Sequence, residues 1–207
     1  MRYRLLDVCE LANDKIETTY LNKHNYISTE NMLPNKGGIE IASSLPKASR
    51  VRAFRKKDVL VSNIRPYFKK IWYADRDGGC SSDVLVFRAK ECIRPQYLYY
   101  LLSENAFFSY AMSTAKGTKM PRGDKKALMK YSLSGFPLDY QDKIVNVLKP
   151  LDDKININTK INKNLAGHDE EEDQSSDYCQ DDPQIILRIC TRNTTNEQTR
   201  REQLMAA

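Results

Sequence analysis

Val59-Leu60-Val61, Ile71-Trp72-Tyr73-Ala74 and Val84-Leu85-Val86-Phe87 are three short apolar runs separated by charged and turn-forming residues. Each is too short for a stable helix and rich in β-branched or aromatic side chains, so each reads as a strand. The first follows the charged Arg55-Lys56-Lys57-Asp58 and is expected to be buried. The last is apolar at consecutive positions, which predicts a strand covered on both faces and therefore central. Asp75-Arg76-Asp77-Gly78-Gly79 reads as a turn with the glycines such turns need. The two strands flanking it are expected to pair, through a connection that Cys80-Ser81-Ser82 lengthens beyond a tight hairpin.

Downstream of these runs, Pro95 suits the first turn of a helix. Leu98, Leu101, Leu102, Phe108 and Met112 fall near one face of it and read as core, and Gly117 is the predicted stop. Leu5, Leu6 and Val8 to Leu11 read as a short helical start. Gly135-Phe136-Pro137 punctuates the chain. Beyond it Ile144, Leu148, Leu151, Ile155, Asn158, Asn162 and Leu165 recur at alternating steps of four and three, a heptad seam with Asn at two positions. Pro150 inside the seam predicts a kink or two helical parts. Such a stripe on a helix leaving its domain needs a partner to cover it; the alternative is that the helix packs back on its own domain. Ala166-Gly167-His168 is expected to end the helix, and the acidic-polar remainder is expected to be disordered. The fold class expected is α+β: a strand-rich domain over 1–137, a pairing helix over 138–165 and a tail over 166–207.

Charge is distributed unevenly over the 207 residues. Residues 1–137 hold 24 Lys/Arg and 13 Asp/Glu, and residues 166–207 hold 4 and 10. A basic first domain favours a polyanionic partner, because fixed cations replace the counterions condensed on phosphates. No window is apolar for long enough to span a bilayer. The start, Met1 to Asp7, meets an acid too early for a signal peptide, so a cytoplasmic chain is expected. Cys9, Cys80, Cys92, Cys179 and Cys190 form no C-x-x-C pair, and His24 and His168 stand far from them in sequence, so no metal site is expected.

Catalytic chemistry finds no foothold. There is no glycine-rich turn with an Asn/Asp-Pro-Pro-aromatic site, no P-loop, no G-x-S-x-G and no His-Glu-x-x-His. No acidic cluster suits a nuclease metal. No catalytic residue, cofactor or metal is expected. The features present are suited to binding. Three basic stretches carry polar or aromatic residues: Lys47, Arg50, Arg52, Arg55, Lys56 and Lys57; then Asn63, Arg65, Tyr67, Lys69 and Lys70; then Lys116-Gly117-Thr118-Lys119-Met120-Pro121-Arg122. Arg can meet guanine and Asn adenine with two parallel bonds, while Lys mostly neutralises phosphate. Arg50, Arg52, Asn63, Arg65, Tyr67, Lys69, Lys70, Lys116, Thr118, Lys119 and Arg122 are the candidate DNA contacts.

Four pieces in order resemble a known family. They are Asp58-Val59-Leu60-Val61-Ser62-Asn63-Ile64-Arg65-Pro66-Tyr67 leading to Gly79-Cys80-Ser81-Ser82-Asp83-Val84-Leu85-Val86, then Tyr97-Leu98-Tyr99-Tyr100-Leu101-Leu102, then Gly117 to Arg122, then Phe136-Pro137-Leu138 with Gln141 to Val145 and Leu151 to Ile155. Together they look like the target-recognition domain and following conserved helix of type I restriction–modification specificity subunits. The resemblance implies a non-catalytic subunit. Its globular domain reads half of a split double-stranded DNA target, and its helix pairs with a second copy to set the spacing. The modification subunits, which methylate adenine, dock on it and carry the restriction subunit. Full members hold two domains and two helices; here there is one of each, which predicts a homodimer or a half paired with another half. A symmetric dimer implies a palindromic split site. The tail departs from the family pattern and reads as a frameshift or truncation product. The alternative expectation is a non-functional remnant that keeps only a folded recognition domain.

Overall fold

The computed structural model describes residues 2–174. The chain divides into two units, Met1–Pro150 and Leu151–Ala207. The first unit opens with β1 (Arg2–Arg4), α1 (Leu5–Val8) and β2 (Cys9–Leu11). Then come β3 (Lys15–Glu17), β4 (Tyr26–Ile27), β5 (Arg50–Phe54), β6 (Val59–Ser62), β7 (Ile71–Tyr73), β8 (Gly78–Cys80) and β9 (Val84–Ala89). Helices α2 (Pro95–Ser103), α3 (Asn105–Ser113) and α4 (Lys125–Leu128) lead to β10 (Ser132–Ser134) and the long α5 (Leu138–Gln174).

The first sheet has the order β2-β9-β6-β7, antiparallel throughout. As the unbroken apolar run of 84–87 predicts, β9 is interior. Period-two alternation then sends neighbouring side chains to opposite layers. Val59, Val61, Ile71, Leu85 and Phe87 pack with Leu98, Leu101, Leu102, Phe107 and Phe108 of α2 and α3. Leu60, Trp72, Val84 and Val86 pack on the other side with Ile27, Phe54 and Cys80 of a second sheet. That sheet has the order β3-β5-β8-β4, in which only the β4–β8 pairing is parallel. Each of these large side chains, fully covered, contributes about 1.5–3 kcal/mol of apolar burial.

Four expectations are corrected. The strands at 71–73 and 84–89 do not pair; both flank β6 or lie beside it, with Leu60 opposite Trp72 and Val86. The reason lies in Gly78 and Gly79, which are buried strand residues rather than turn glycines. A Cβ on Gly78 would come within 2.1 Å of the Asn25 carbonyl oxygen, and one on Gly79 within 2.7 Å of Val51 Cγ2. Only glycine lets β8 slip between β5 and β4, so the chain between β7 and β9 enters the other sheet. Second, the helix begun by Pro95 breaks at Glu104, which is extended (φ −64°, ψ 144°). The break turns both Phe107 and Phe108 into the core, while Met112 is only half-buried and the second helix ends before Gly117. Third, the opening helix covers only Leu5–Val8, after which Cys9–Leu11 joins the first sheet. Fourth, α5 continues past Gly167 to Gln174. One glycine costs a helix about 1 kcal/mol and removes no hydrogen bond, unlike proline. Residues 175–207 of the expected tail lie outside the described residues.

The start of α5 is pinned to the first unit. Gln141 is buried, accepts from the Arg94 backbone N–H at 2.8 Å and donates to the Phe136 carbonyl at 2.8 Å. Arg94 grips Asp142 with two bonds of 2.8 Å. Ile144 and Val145 lean on the helix-side core. The helix passes through Pro150, at which the two units divide.

Candidate nucleic-acid interface

The second and third basic stretches, far apart in sequence, are zipped together by backbone bonds. Arg65 N–H donates to the Pro121 carbonyl at 2.8 Å, and Gly123 N–H to the Asn63 carbonyl at 3.2 Å. Lys116 and Arg122 close the 116–122 loop on itself with two bonds of 2.9 and 3.0 Å, and Gly117 makes its left-handed corner at φ +94°. The loop is therefore a fixed projection. Asp124 holds its far end by accepting from the Lys126 and Ala127 N–H groups as the N-cap of α4. Those bonds and Lys116 keep the Asp124 carboxyl below the usual carboxylate range.

The candidate contacts fall into two sets. Tyr67, Lys116, Thr118, Lys119 and Arg122 are exposed, with Tyr67 at 47 %, and Arg65 and Lys69 are half-buried. Lys116 pairs with Asp124 and Arg122 with Asp83, each at 3.2 Å. No carboxylate lies within ion-pair distance of Arg65, Lys69 or Lys119 among the described residues. The Arg65 Nε is buried without a hydrogen-bond partner. This set places cations, a hydroxyl and an aromatic ring on one rim.

The other set is used internally. Asn63 is only 7 % exposed, and its Oδ1 has no partner and lies where a Cβ on Gly123 would come within 2.9 Å. Its backbone joins the two loops, so it sits beneath the rim. Lys70 donates to the Thr29 carbonyl at 2.7 Å, and burial pushes its ammonium down. Arg52, on β5, donates to the Val84 carbonyl, next to the Asp83 that holds Arg122. Arg50 is exposed and pairs with Glu17 across the β3–β5 ladder at 3.2 Å. At the end of β6 away from the rim, Arg88 spans Asp58 and Asp14, each at 2.8 Å, tying β9 to the turn before β6.

The seam on α5 is also divided. Ile144 and Leu148 are partly covered, whereas Leu151, Ile155, Asn158, Asn162 and Leu165 are exposed. Val147, Ile157 and Ile161 are exposed too, although the heptad reading leaves them off the seam. Reading every apolar position at 100° per residue, rather than only the heptad, would have found them. No helix among the described residues is long and apolar enough to cross a membrane.

Comparison with known proteins gives a consistent result. Residues 1–166 match the family described as type I restriction modification DNA specificity domain. The HindI type I restriction enzyme specificity subunit of Haemophilus influenzae is 30% identical over 173 residues, covering 79% of this chain and 37% of that protein. The EcoDI specificity subunit of Escherichia coli is 30% identical over 93 residues, 45% of this chain and 20% of the other. Among solved structures, the HsdS subunit of Thermoanaerobacter tengcongensis superposes with a TM-score of 0.57 at 22% identity, covering 88% of this chain and 51% of that one. The S subunit of M. genitalium gives 0.58 at 16% identity, covering 82% and 44%. At those identities the two structures speak for the fold. The chain spans between about a third and a half of the length of the HindI relative and of these solved chains.

Proposed function

Because the chain belongs to the family of type I restriction modification DNA specificity domains, we propose that its first unit reads one half of a split double-stranded DNA target. The role is recognition, with methylation and cleavage carried by partner subunits. The observation that carries this reading is the rim where the 63–70 segment and the 116–122 loop are locked together by backbone bonds. Lys69 and Lys119 are free of carboxylates there and are suited to phosphate, while Arg65, Arg122 and Thr118 are suited to base edges. Asn63, Lys70 and Arg52 act by holding that rim in shape.

Beyond Pro150, α5 pairs with a second copy of the chain, which covers Leu151, Ile155 and Leu165 and fixes the separation of two rims. Asn158 and Asn162 set the register of that pair at some cost in stability. The homodimer works in the cytoplasm, reads a palindromic split site, docks modification subunits and through them the restriction subunit, and uses no cofactor. Selection from a random duplex library, with the modification subunit present, tests this. The expected result is a two-part motif with a fixed gap; a single contiguous motif, or none, overturns it. Sedimentation at tens of micromolar separates it from the remnant reading, which expects a monomer.

A further inference from the structure

Five non-glycine residues among those described have positive φ: Asn35, Lys36, Lys57, Arg65 and Lys69. Four of them belong to two touching turns. Asn35 (φ 54°) and Lys36 (φ 63°) are the middle residues of a turn closed by a 3.0 Å bond from Gly37 N–H to the Pro34 carbonyl. Two successive positive φ values in a hairpin turn are the type I′ pattern, which favours Asn and then Gly. Here the second position holds Lys36. A lysine there costs backbone energy that a glycine would not. The other turn holds Arg65 (φ 48°) and Lys69 (φ 52°) around Tyr67 and Phe68.

The two turns are docked by their backbones. Asn35 N–H donates to the Phe68 carbonyl at 2.8 Å, and Lys36 N–H to the Lys69 carbonyl at 3.0 Å. These bonds consume the main-chain donors of the turn's tip and leave its side chains free. Asn35 and Lys36 are exposed, and neither side chain has a hydrogen bond or ion pair among the described residues. Beside them the Tyr67 and Phe68 rings, both exposed, lie with centroids 4.6 Å apart. Backbone strain kept at a surface where Lys36 and Lys69 have no carboxylate partner among the described residues and the Tyr67 ring is half-exposed points to a bound polyanion.

We infer that the 34–37 turn is a third DNA-reading element, fused to the 65–69 turn as one preformed wedge that enters a groove of the duplex. It rests on the DNA-reading function above. In the wedge, Asn35 presents its amide to an adenine edge, Lys36 and Lys69 take the phosphates on either side, and Tyr67 packs against the sugar–base wall. Preformation matters because ordering a flexible loop on binding would cost affinity. Neither Asn35 nor Lys36 stands in a basic stretch; Pro34 and Gly37-Gly38 mark a turn there, and nothing local marks a DNA contact.

The test uses the full chain in complex with the modification subunit and the duplex motif recovered by selection. Asn35→Gly and Lys36→Gly are the variants, since glycine keeps positive φ and the turn intact while removing the side chain. Asn35→Gly should lose discrimination at one A·T pair by roughly 5- to 150-fold, with the rest of the motif retained. Lys36→Gly should weaken binding to every sequence and flatten the salt slope by about one unit. Either variant behaving as wild type overturns the wedge. Lys36 also borders a groove of about 410 Å³ lined by Tyr97, Tyr100, Leu101, Phe136 and Ile144; a role confined to that groove would leave DNA binding unchanged and so counts against the inference. Lys119→Ala serves as the reference. If it weakens DNA binding while both glycine variants do not, only the wedge falls. If it too is silent, the DNA-reading rim falls with it.

Discussion

The strands at 59–62 and 84–89 and the far part of α5 all carry large apolar side chains, and these end in opposite states. Val59, Leu60, Leu85 and Phe87 are fully buried. Leu151, Ile155 and Leu165 are 55 %, 62 % and 59 % exposed. The strands succeed in burying themselves because the chain supplies a layer for each face: helices α2 and α3 on one, the second sheet on the other. Beyond Pro150 the described residues supply no cover for Leu151, Ile155 and Leu165 of α5. Hydrophobicity thus says that a surface must be covered, and the fold says whether the cover is internal.

That contrast can be broken by parallel substitutions. The largest effect belongs to Phe87→Ala, which should lower unfolding free energy by about 3–5 kcal/mol in a denaturant titration, because the side chain is lost and a cavity remains. Next comes Asp58→Ala. Its carboxylate is almost fully buried and takes two bonds from Arg88 at 3.0 and 2.8 Å. Removing it leaves the partly buried Arg88 guanidinium with Asp14 as its partner and the Arg55 N–H without its carboxylate acceptor, at a cost of about 1–3 kcal/mol, read in the same titration. A loss no larger than that of a surface change would show that the pair does not brace the first sheet.

Asp124→Ala should lower the melting temperature by less, and only at neutral pH. Its carboxyl is held below the ordinary range by the backbone N–H groups of α4 and by Lys116. A depressed folded value means the stabilisation is full above the unfolded value and is lost as pH falls through the folded one. Wild type and variant should therefore converge in acid; a constant gap would point to packing rather than charge. The smallest effect on stability is expected from Leu151→Asp, within about 0.5 kcal/mol, as for other exposed positions. The same substitution should abolish self-association in sedimentation. If it instead unfolds the chain, the side chain was covered internally and the contrast with Phe87 disappears.

Much of the first unit was legible because its signals are local. The runs at 59–61, 71–73 and 84–87 and the proline at 95 announce themselves through residue type and spacing. The second sheet was not legible. Three of its four strands, β3, β4 and β8, are two or three residues long, and β8 is Gly-Gly-Cys. A glycine pair signals a turn unless one knows that Asn25 and Val51 crowd it, and that is long-range information. The candidate interface divides in the same way. The cations of 116–122 stand out in sequence, as do Arg65 and Lys69. That Asn63 lies below them, and Asn35 and Lys36 beside them, depends on bonds between loops.

The sequence by itself determined the kind of protein: a basic, strand-rich domain without reactive motifs, followed by a helix whose apolar stripe calls for a partner. Composition and short-range periodicity suffice for that, because they govern which segments can be strand or helix and which charges must stay at the surface. The tertiary structure alone decided which loops meet. Meeting depends on backbone donors and acceptors distant along the chain, such as Arg65 with Pro121 and Lys36 with Lys69. Every residue except proline carries the same main-chain groups, so residue type cannot announce those pairings.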